Sequence, residues 1–154
     1  MRPRIPPPVA MVVAAALMWA LDRWTPLAHL IDPPWNRVGV LVAAAGAAIA
    51  AAALVRFRQA GTTVDPMDPG KASHLVTDGV FRISRNPMYL GLLLLLVGWA
   101  LWLGSATPWL GPPLFAILLT WMQIVPEEAA LRRLFGEQYV SYEERVARWI
   151  GRRR

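Results

Sequence analysis

Two short polar stretches in this 154-residue chain carry the side chains with which chemistry could be done. The first is Arg82-Ile83-Ser84-Arg85-Asn86-Pro87-Met88-Tyr89-Leu90-Gly91, where a basic and polar segment runs straight into a long apolar one. Asn86 is a good N-cap type, with a side-chain oxygen able to accept from an orphan backbone N–H. Pro87 suits the first helical position, where a missing N–H costs nothing. A helix starting there directs the positive end of its dipole and its unpaired N–H donors at this corner, with Arg85 just outside, so the corner favours an anion. The plainer alternative is a helix start with an arginine reaching for lipid headgroups. The second stretch is Pro126-Glu127-Glu128. Alone it reads as the acidic first turn of a helix, worth about 0.3 to 1 kcal/mol through the dipole. Set opposite Arg85, it makes a cationic corner facing a carboxylate pair. That arrangement suits a zwitterionic ligand, such as a water-soluble cofactor bearing an amino-acid group and a ribose.

Composition removes other chemistries. There is no cysteine, which excludes disulfides, cysteine-ligated zinc and a cysteine nucleophile, and two histidines, His29 and His74, do not make a histidine-rich metal site. No metal is expected. A net charge of +6 and a pI near 11 would suit nucleic acid. The arginines, however, lie in the gaps and the tail around apolar blocks, so membrane topology accounts for the basicity and no nucleic-acid partner is expected. Hydrophobic residues make up 56% of the chain, and their blocks point to a bilayer rather than an aqueous core.

Those blocks must position the two polar stretches. Val9 to Leu21 is a continuous apolar run, followed by Asp22-Arg23. Its length also fits a signal-peptide core, but no small-x-small cleavage pattern follows. Trp19 and Trp24 have the character of interfacial anchors, so a transmembrane helix is predicted over residues 6–24. Residues 25–37, with three prolines, read as a loop. Residues 38–55 carry no charge but hold Gly39, Gly46 and nine alanines, a smooth surface suited to close helix packing in a second span. Residues 56–86 form a polar, Pro- and Gly-punctuated loop of a length more often functional than passive. A third span is predicted over 87–103 and a fourth over 109–125, joined by an uncharged turn. Beyond them Leu131, Phe135, Tyr139, Tyr142, Val146 and Ile150 recur every three or four residues. This stripe predicts an amphipathic helix over 127–150, broken or bent near Gly136. The expected fold is thus an all-α integral membrane protein with about four transmembrane helices.

Orientation follows from charge. Two Lys or Arg residues precede the first span, five lie in the long loop and seven follow the fourth span, against Arg23 and Arg37 alone on the other side. Positive charge marks the cytoplasmic side, so both termini, the long loop, Arg85, Asn86, Pro87 and the Glu127-Glu128 pair are expected there.

Taken together, Leu75-Val76-Thr77-Asp78-Gly79-Val80-Phe81, then Arg85-Asn86-Pro87-Met88-Tyr89-Leu90-Gly91, then Glu127-Glu128 with Leu131, Phe135-Gly136-Glu137-Gln138-Tyr139, Tyr142 and Val146-Ala147-Arg148-Trp149 resemble the isoprenylcysteine carboxyl methyltransferase family, itself related to the phospholipid methyltransferases. The resemblance covers residues 55–150 in order. It implies a multi-span enzyme that binds S-adenosylmethionine on the cytoplasmic side and methylates a lipid-like or apolar acceptor arriving from the bilayer. The acceptor group would be the carboxylate of an isoprenylcysteine-like compound or the amine of a phospholipid. By the same resemblance the cofactor pocket takes in His74, Leu75, Val76, Phe81, Asn86, Pro87, Met88, Tyr89 and Glu127, with Glu128, Tyr139 and Tyr142 as further candidates, and Arg85, Glu127 and Glu128 as positioning groups.

Two residues depart from the family pattern. Asn86 stands where many relatives have histidine, and an asparagine cannot carry a proton. Gln123 stands where the eukaryotic enzymes place an arginine at the substrate carboxylate, so a charged clamp is replaced by a neutral group. Gln123 is the substrate candidate, and an interhelical hydrogen bond is its alternative role. A carboxylate acceptor is already ionised at neutral pH, whereas an amine needs a base, for which Glu127 and Glu128 are the candidates. Two other functions fit a chain of this shape. A small membrane transporter or scaffold would normally keep an ionisable residue inside a span, and spans two to four carry none. A membrane reductase using NADPH needs no Gly-x-Gly-x-x-Gly, and none follows a strand here.

Overall fold

The computed structural model describes residues 5–61 and 74–151, and among these there is no β-strand. The helices are α1 (Pro7–Trp24), α2 (Val38–Gln59), α3 (Pro87–Leu103), α4 (Gly111–Leu119), α5 (Val125–Phe135) and α6 (Glu137–Arg145). Single 3₁₀ turns occupy Trp35–Arg37, Gly79–Arg82 and Thr107–Leu110. Residues 62–73 of the predicted long loop, together with Arg2, Arg4 and Arg152 to Arg154 of the charge count, lie outside the described residues.

Both short connections meet at one end of the bundle. Gly104, at φ +82, ends α3 in the left-handed conformation that glycine adopts without strain. Its carbonyl accepts from the N–H groups of Leu30 and Ile31, and Ala106 N–H donates to Ala28 O. The Thr107 hydroxyl donates to Thr25 O and the Ser105 hydroxyl to Asp22. The start of α3, the Gly79–Arg82 turn and α5–α6 occupy the opposite end.

The tightest helix pair is α2 with α3, and it is built on absent side chains. The buried residues of α2 are Gly39, Gly46 and Ala53, one every seven positions. Gly46 faces Gly91 and Gly39 faces Gly98: a Cβ on Gly46 would stand 2.7 Å from Gly91 O, and one on Gly91 2.6 Å from Gly46 O. Small residues thus let the two backbones touch, the packing mode available where hydrocarbon surroundings give helices no hydrophobic reason to associate. α1 closes the other side of α3, with Met18 buried and Trp99 Nε1 donating to Ala15 O at 3.1 Å. The outward faces of α1, α2 and α4 carry Val13, Leu17, Leu41, Leu114 and Ile117, each more than half exposed. So much contiguous apolar surface suits hydrocarbon rather than water.

Among the described residues, two helical stretches are long and apolar enough to cross a bilayer, Trp35–Gln59 and Thr107–Phe135; Pro87–Leu103 is apolar but shorter. The second of these differs from the helix predicted over 109–125, because it does not stop at Pro126. Thr120–Ile124 forms a π turn in which Val125 N–H reaches back to Thr120 O, five residues away. Proline lacks an N–H and its ring crowds the carbonyl four residues earlier. The widened turn just before Pro126 accommodates both defects, and α4 runs on into α5. The helix predicted over 127–150 is likewise two helices. Gly136, at φ +51, ends α5 and restarts the chain as α6, and residues beyond Arg145 leave helical geometry for extended backbone at Val146. Finally, α2 continues four residues past the predicted 38–55 span, to Gln59.

Replacing Gly46 or Gly91 by alanine should therefore destabilise the fold, by about 1–3 kcal/mol of overpacking, although alanine is the better helix former by about 1 kcal/mol. Thermal unfolding of the detergent-purified variants checks this. Unchanged or raised midpoints would show that the two backbones do not meet as described.

Candidate functional site

The polar end of the bundle is organised by an arginine that cannot reach solvent. The Arg85 side chain is 1% exposed, so the alternative of an arginine reaching for lipid headgroups is excluded. A buried guanidinium needs counter-charge, and two helices supply it. Arg85 Nη1 lies 2.8 Å from Glu143 Oε1 on α6 and 3.3 Å from Glu128 Oε1 on α5. Each carboxylate is shared. Arg148 grips Glu128 with Nη2 at 2.7 Å and Nε at 3.1 and 3.2 Å, and Arg132 grips Glu143 in a two-point fork at 2.6 and 2.8 Å. Such bidentate geometry is what arginine provides and lysine cannot. Arg85 Nε is buried with no hydrogen-bond partner among the described residues.

Backbone bonds fasten the C-terminal segment to the same place. Arg85 N–H donates to Ala147 O, and Gly151 N–H donates to Ile83 O. The Asn86 amide does not cap α3 as its type suggested; it donates to Arg148 O at 3.1 Å, while Ser84 Oγ accepts from Asn86 N–H. The carbonyl of Arg148 is thus held by the loop before α3, and its guanidinium by α5.

The remaining predicted site residues fall into three groups. Val76, Phe81, Tyr139 and Tyr142 pack with Ala53 and Val146 into a closed cluster, bordered by Leu75 and Met88. The Tyr142 hydroxyl donates to Phe81 O at 2.7 Å, and Phe57 meets Phe81 edge-on, so these aromatics build a wall. Burial, reinforced by the Glu128 charge, pushes the Tyr139 phenol up to about 12, and burial raises Tyr142 further, so both remain protonated at neutral pH. Beside that wall, at the start of α3, the buried Tyr89 donates its hydroxyl to Glu127 Oε2 at 3.0 Å, across to α5. Pro87 is buried at the opening of α3, and His74 is exposed where the described chain resumes. The third group is Gln123 alone, buried in the π turn, with Nε2 donating to Ile5 O.

A sequence profile of phospholipid methyltransferases matches residues 35–138, about two thirds of the chain. The chain belongs to the phospholipid methyltransferase family. Over 115 residues it is 31% identical to Protein-S-isoprenylcysteine O-methyltransferase A of Arabidopsis thaliana, covering 73% of this chain and 57% of that protein. Over 105 residues it is 30% identical to Protein-S-isoprenylcysteine O-methyltransferase of Schizosaccharomyces pombe, covering 66% and 43%. An uncharacterized protein of Haemophilus influenzae is 44% identical over 63 residues, 41% of this chain and 100% of that protein. The chain therefore spans about half the length of the two named methyltransferases. No solved structure matches. The matched range of the phospholipid methyltransferase family contains Arg85 through Tyr89, Gln123, Glu127, Glu128 and Arg132. It leaves out α1, Tyr139, Glu143 and Arg148.

Glu143, Arg132 and Arg148 were not singled out as site residues from the sequence. Glu143 and Arg132 fall off the apolar stripe of the C-terminal segment and read there as solvated charges. The available signal was local: Glu143 lies four residues after Tyr139 and next to Tyr142, at the border of the inward face.

Two measurements test this network. Glu128→Ala takes from Arg85 one of its two carboxylates and from Arg148 its partner, while Glu143 stays 2.8 Å from Arg85, and should cost about 1.5–3 kcal/mol of stability, read by denaturant or thermal unfolding in detergent; a loss within ordinary surface values would show that the pair is not structural. Glu143 is held at about 2, against an ordinary 4.5, chiefly by the hydrogen bonds from Arg132, with Arg85 adding to the effect. A carboxyl lowered on folding stabilises the fold above its unfolded value and loses that contribution as pH falls toward the folded one. Stability should therefore drop between pH 4.5 and about 2. Glu143→Gln should remove that share of the drop, and an identical acid profile would refute the assignment.

Proposed function

We propose that this chain is an S-adenosylmethionine-dependent methyltransferase embedded in the membrane, acting on a lipid-like or apolar acceptor. Its spans are those predicted over 6–24, 38–55, 87–103 and 109–125, the last continuing beyond the bilayer as α5. The cofactor side, the loop over 56–86 and both termini are cytoplasmic. Family membership supports the chemistry. The observation that carries the location is the Tyr89–Glu127 hydrogen bond, which joins the opening turn of α3 to α5 beside the ion network.

The residues at that junction fit the cofactor. Bound there, S-adenosylmethionine supplies an electrophilic methyl group on a sulfonium. The opening turn of α3, at Pro87 and Met88, offers positive dipole and backbone donor to a carboxylate. Glu127 suits an ammonium group or ribose hydroxyls, and the Tyr89 ring suits a cation. His74, Leu75 and Val76 border the approach, while Phe81, Tyr139 and Tyr142 back it as a rigid wall and Arg85 anchors the whole. The network also divides the two glutamates. Glu128, 2% exposed, already accepts from Arg148 and Arg85 and is closed as a base. Should the acceptor be an amine, we assign its proton to Glu127, whose carboxylate accepts from the Tyr89 hydroxyl. Asn86, committed to Arg148 O, takes no proton either.

Calorimetric titration of the detergent-purified chain with S-adenosylhomocysteine should show binding, and Glu127→Ala should weaken it about tenfold or more, as expected for a hydrogen bond to a charged group. Absence of binding by a parent protein with intact helical circular dichroism would sink the proposal. Because the chain has no cysteine, Ser141→Cys and Asp32→Cys report sidedness cleanly. An impermeant maleimide should label the first from the cytoplasmic face and the second from the opposite face, and the reverse pattern would overturn the topology.

A further inference from the structure

α1 and α2 pack on α3 from two sides and leave between them a groove of about 380 Å³, within the range of small-ligand cavities, about 300 to 1,000 Å³. Met11 and Ala15 border it on α1, Val40 and Ala43 on α2. Its floor on α3 runs from Leu95 to Trp102, about 10 Å at 1.5 Å per residue. Apart from two indoles, the lining side chains carry no nitrogen or oxygen, and the Trp99 indole N–H is already given to Ala15 O. The groove thus suits a hydrocarbon chain and cannot by itself recognise a head group.

Recognition has to come from the mouth, where α2 begins. Asn36 Nδ2 donates to Trp102 O and fixes the two helices there. Next to Asn36 stands Arg37, exposed, one turn before Val40 and on the same side of the helix. Arg37 is out of place twice. It lies at the N-terminal end of α2, where the helix dipole disfavours a cation, whereas Arg23, the other arginine at this end of the bundle, lies in the last turn of α1, where the dipole favours one. Nor does a carboxylate offset it. Asp22 accepts from Ser105, Asp32 lies 4.0 Å from His29, and among the described residues neither forms an ion pair with Arg37. Trp35, two residues earlier, and Trp102, across from Asn36, are exposed indoles of the kind that settle at headgroup depth. An uncompensated cation therefore stands at the mouth of a hydrocarbon groove, at the level where lipids carry their phosphates.

We propose that this groove binds one acyl chain of an anionic phospholipid whose phosphodiester pairs with Arg37. A zwitterionic phospholipid is the weaker occupant, because its ammonium cancels the charge that Arg37 attracts. The lipid fills the space that α1 and α2 leave over α3 and serves as a packing element of the bundle. The site lies at the end away from Tyr89 and Glu127, and the assignment does not depend on the methyltransferase reading.

The test uses the full chain in detergent micelles with a trace of phosphatidylglycerol bearing a diazirine on one acyl chain, and labelled residues are mapped by mass spectrometry. Labels should concentrate at Val40, Ala43 and Trp99 rather than at the outward Leu41 and Leu114. Unlabelled phosphatidylglycerol should compete about fivefold better than phosphatidylcholine, the scale of one arginine at an anionic surface. Arg37→Gln should bring the two competitors to parity, Arg58→Gln at the other end of α2 should leave their difference intact, and Val40→Trp should remove the labelling at Ala43 and Trp99. Phosphatidylglycerol should also raise the thermal midpoint of the parent protein but not that of Arg37→Gln. Labels spread evenly over Leu41 and Leu114, the pattern of bulk lipid, would overturn the proposal. So would a parent protein for which the two lipids compete equally, a comparison that needs no variant to fold. Disulfide-linked dimers of Val40→Cys in place of labelling would assign the groove to a second copy of the chain and overturn it as well.

Discussion

The structure depends on keeping one positive charge, Arg85, out of water without leaving it alone. An arginine with a 1% exposed side chain pays its desolvation only if carboxylates close around it with good geometry. Those carboxylates come from two separate helices, Glu128 from α5 and Glu143 from α6, so the C-terminal part of the chain must fold back over the start of α3. Arg132 and Arg148 then hold the carboxylates from outside. The hydrogen bonds of the tail to Ile83, Arg85 and Asn86 follow from the same closure. In the low dielectric of such a site, charge-assisted hydrogen bonds are strong and hold the network rigid, although Arg85 Nε finds no partner among the described residues. Rigidity there aligns α3 with α5, and with it the Tyr89–Glu127 junction at which binding is proposed.

The opposite end obeys a different constraint. Polar groups there are few, and most of those in the turns find a backbone or side-chain partner: Thr107 with Thr25, Ser105 with Asp22, Leu30 and Ile31 with Gly104. Between the two ends the helices meet mainly by shape, with the hydrogen bond from Trp99 Nε1 to Ala15 O tying α3 to α1. α2 and α3 approach until their backbones touch, whereas α1 leaves a groove on each side, toward α2 and toward α4. The bundle therefore has one closed seam, between α2 and α3, and open ones beside α1.

Much of this was legible in the sequence, for identifiable reasons. Pro87 and Gly104 bound α3 where expected, because a missing N–H and a left-handed turn act locally. Gly136 breaks the C-terminal segment for the same kind of reason. The small residues of α2 announced close packing. The ordered motifs pointed to the family that the profile match establishes. What failed was non-local. Pro126 looked like a helix end because nothing in its immediate neighbours announces the π turn that absorbs it. Asn86 looked like a cap, but Arg148 O, 62 residues away, offered its amide another partner. Arg85 looked solvated because its carboxylates lie on α5 and α6, and only the tertiary fold brings them together. The candidate set of site residues accordingly separates into a wall, an anchor and a smaller group around Tyr89 and Glu127.

The paired glycines of α2 and α3 also act as a measuring device. Gly39–Gly98 and Gly46–Gly91 recur at seven-residue intervals, about 10 Å along the axis at 1.5 Å per residue. Sliding one helix past the other by a single turn, about 5.4 Å, would bring larger residues to the points where backbones touch. The pair therefore admits one longitudinal setting. Since the polar corner is attached to the first turn of α3, the depth of that corner relative to the α2 end at Arg56 and Arg58 is set by steric contact rather than by the thickness of the surrounding lipid.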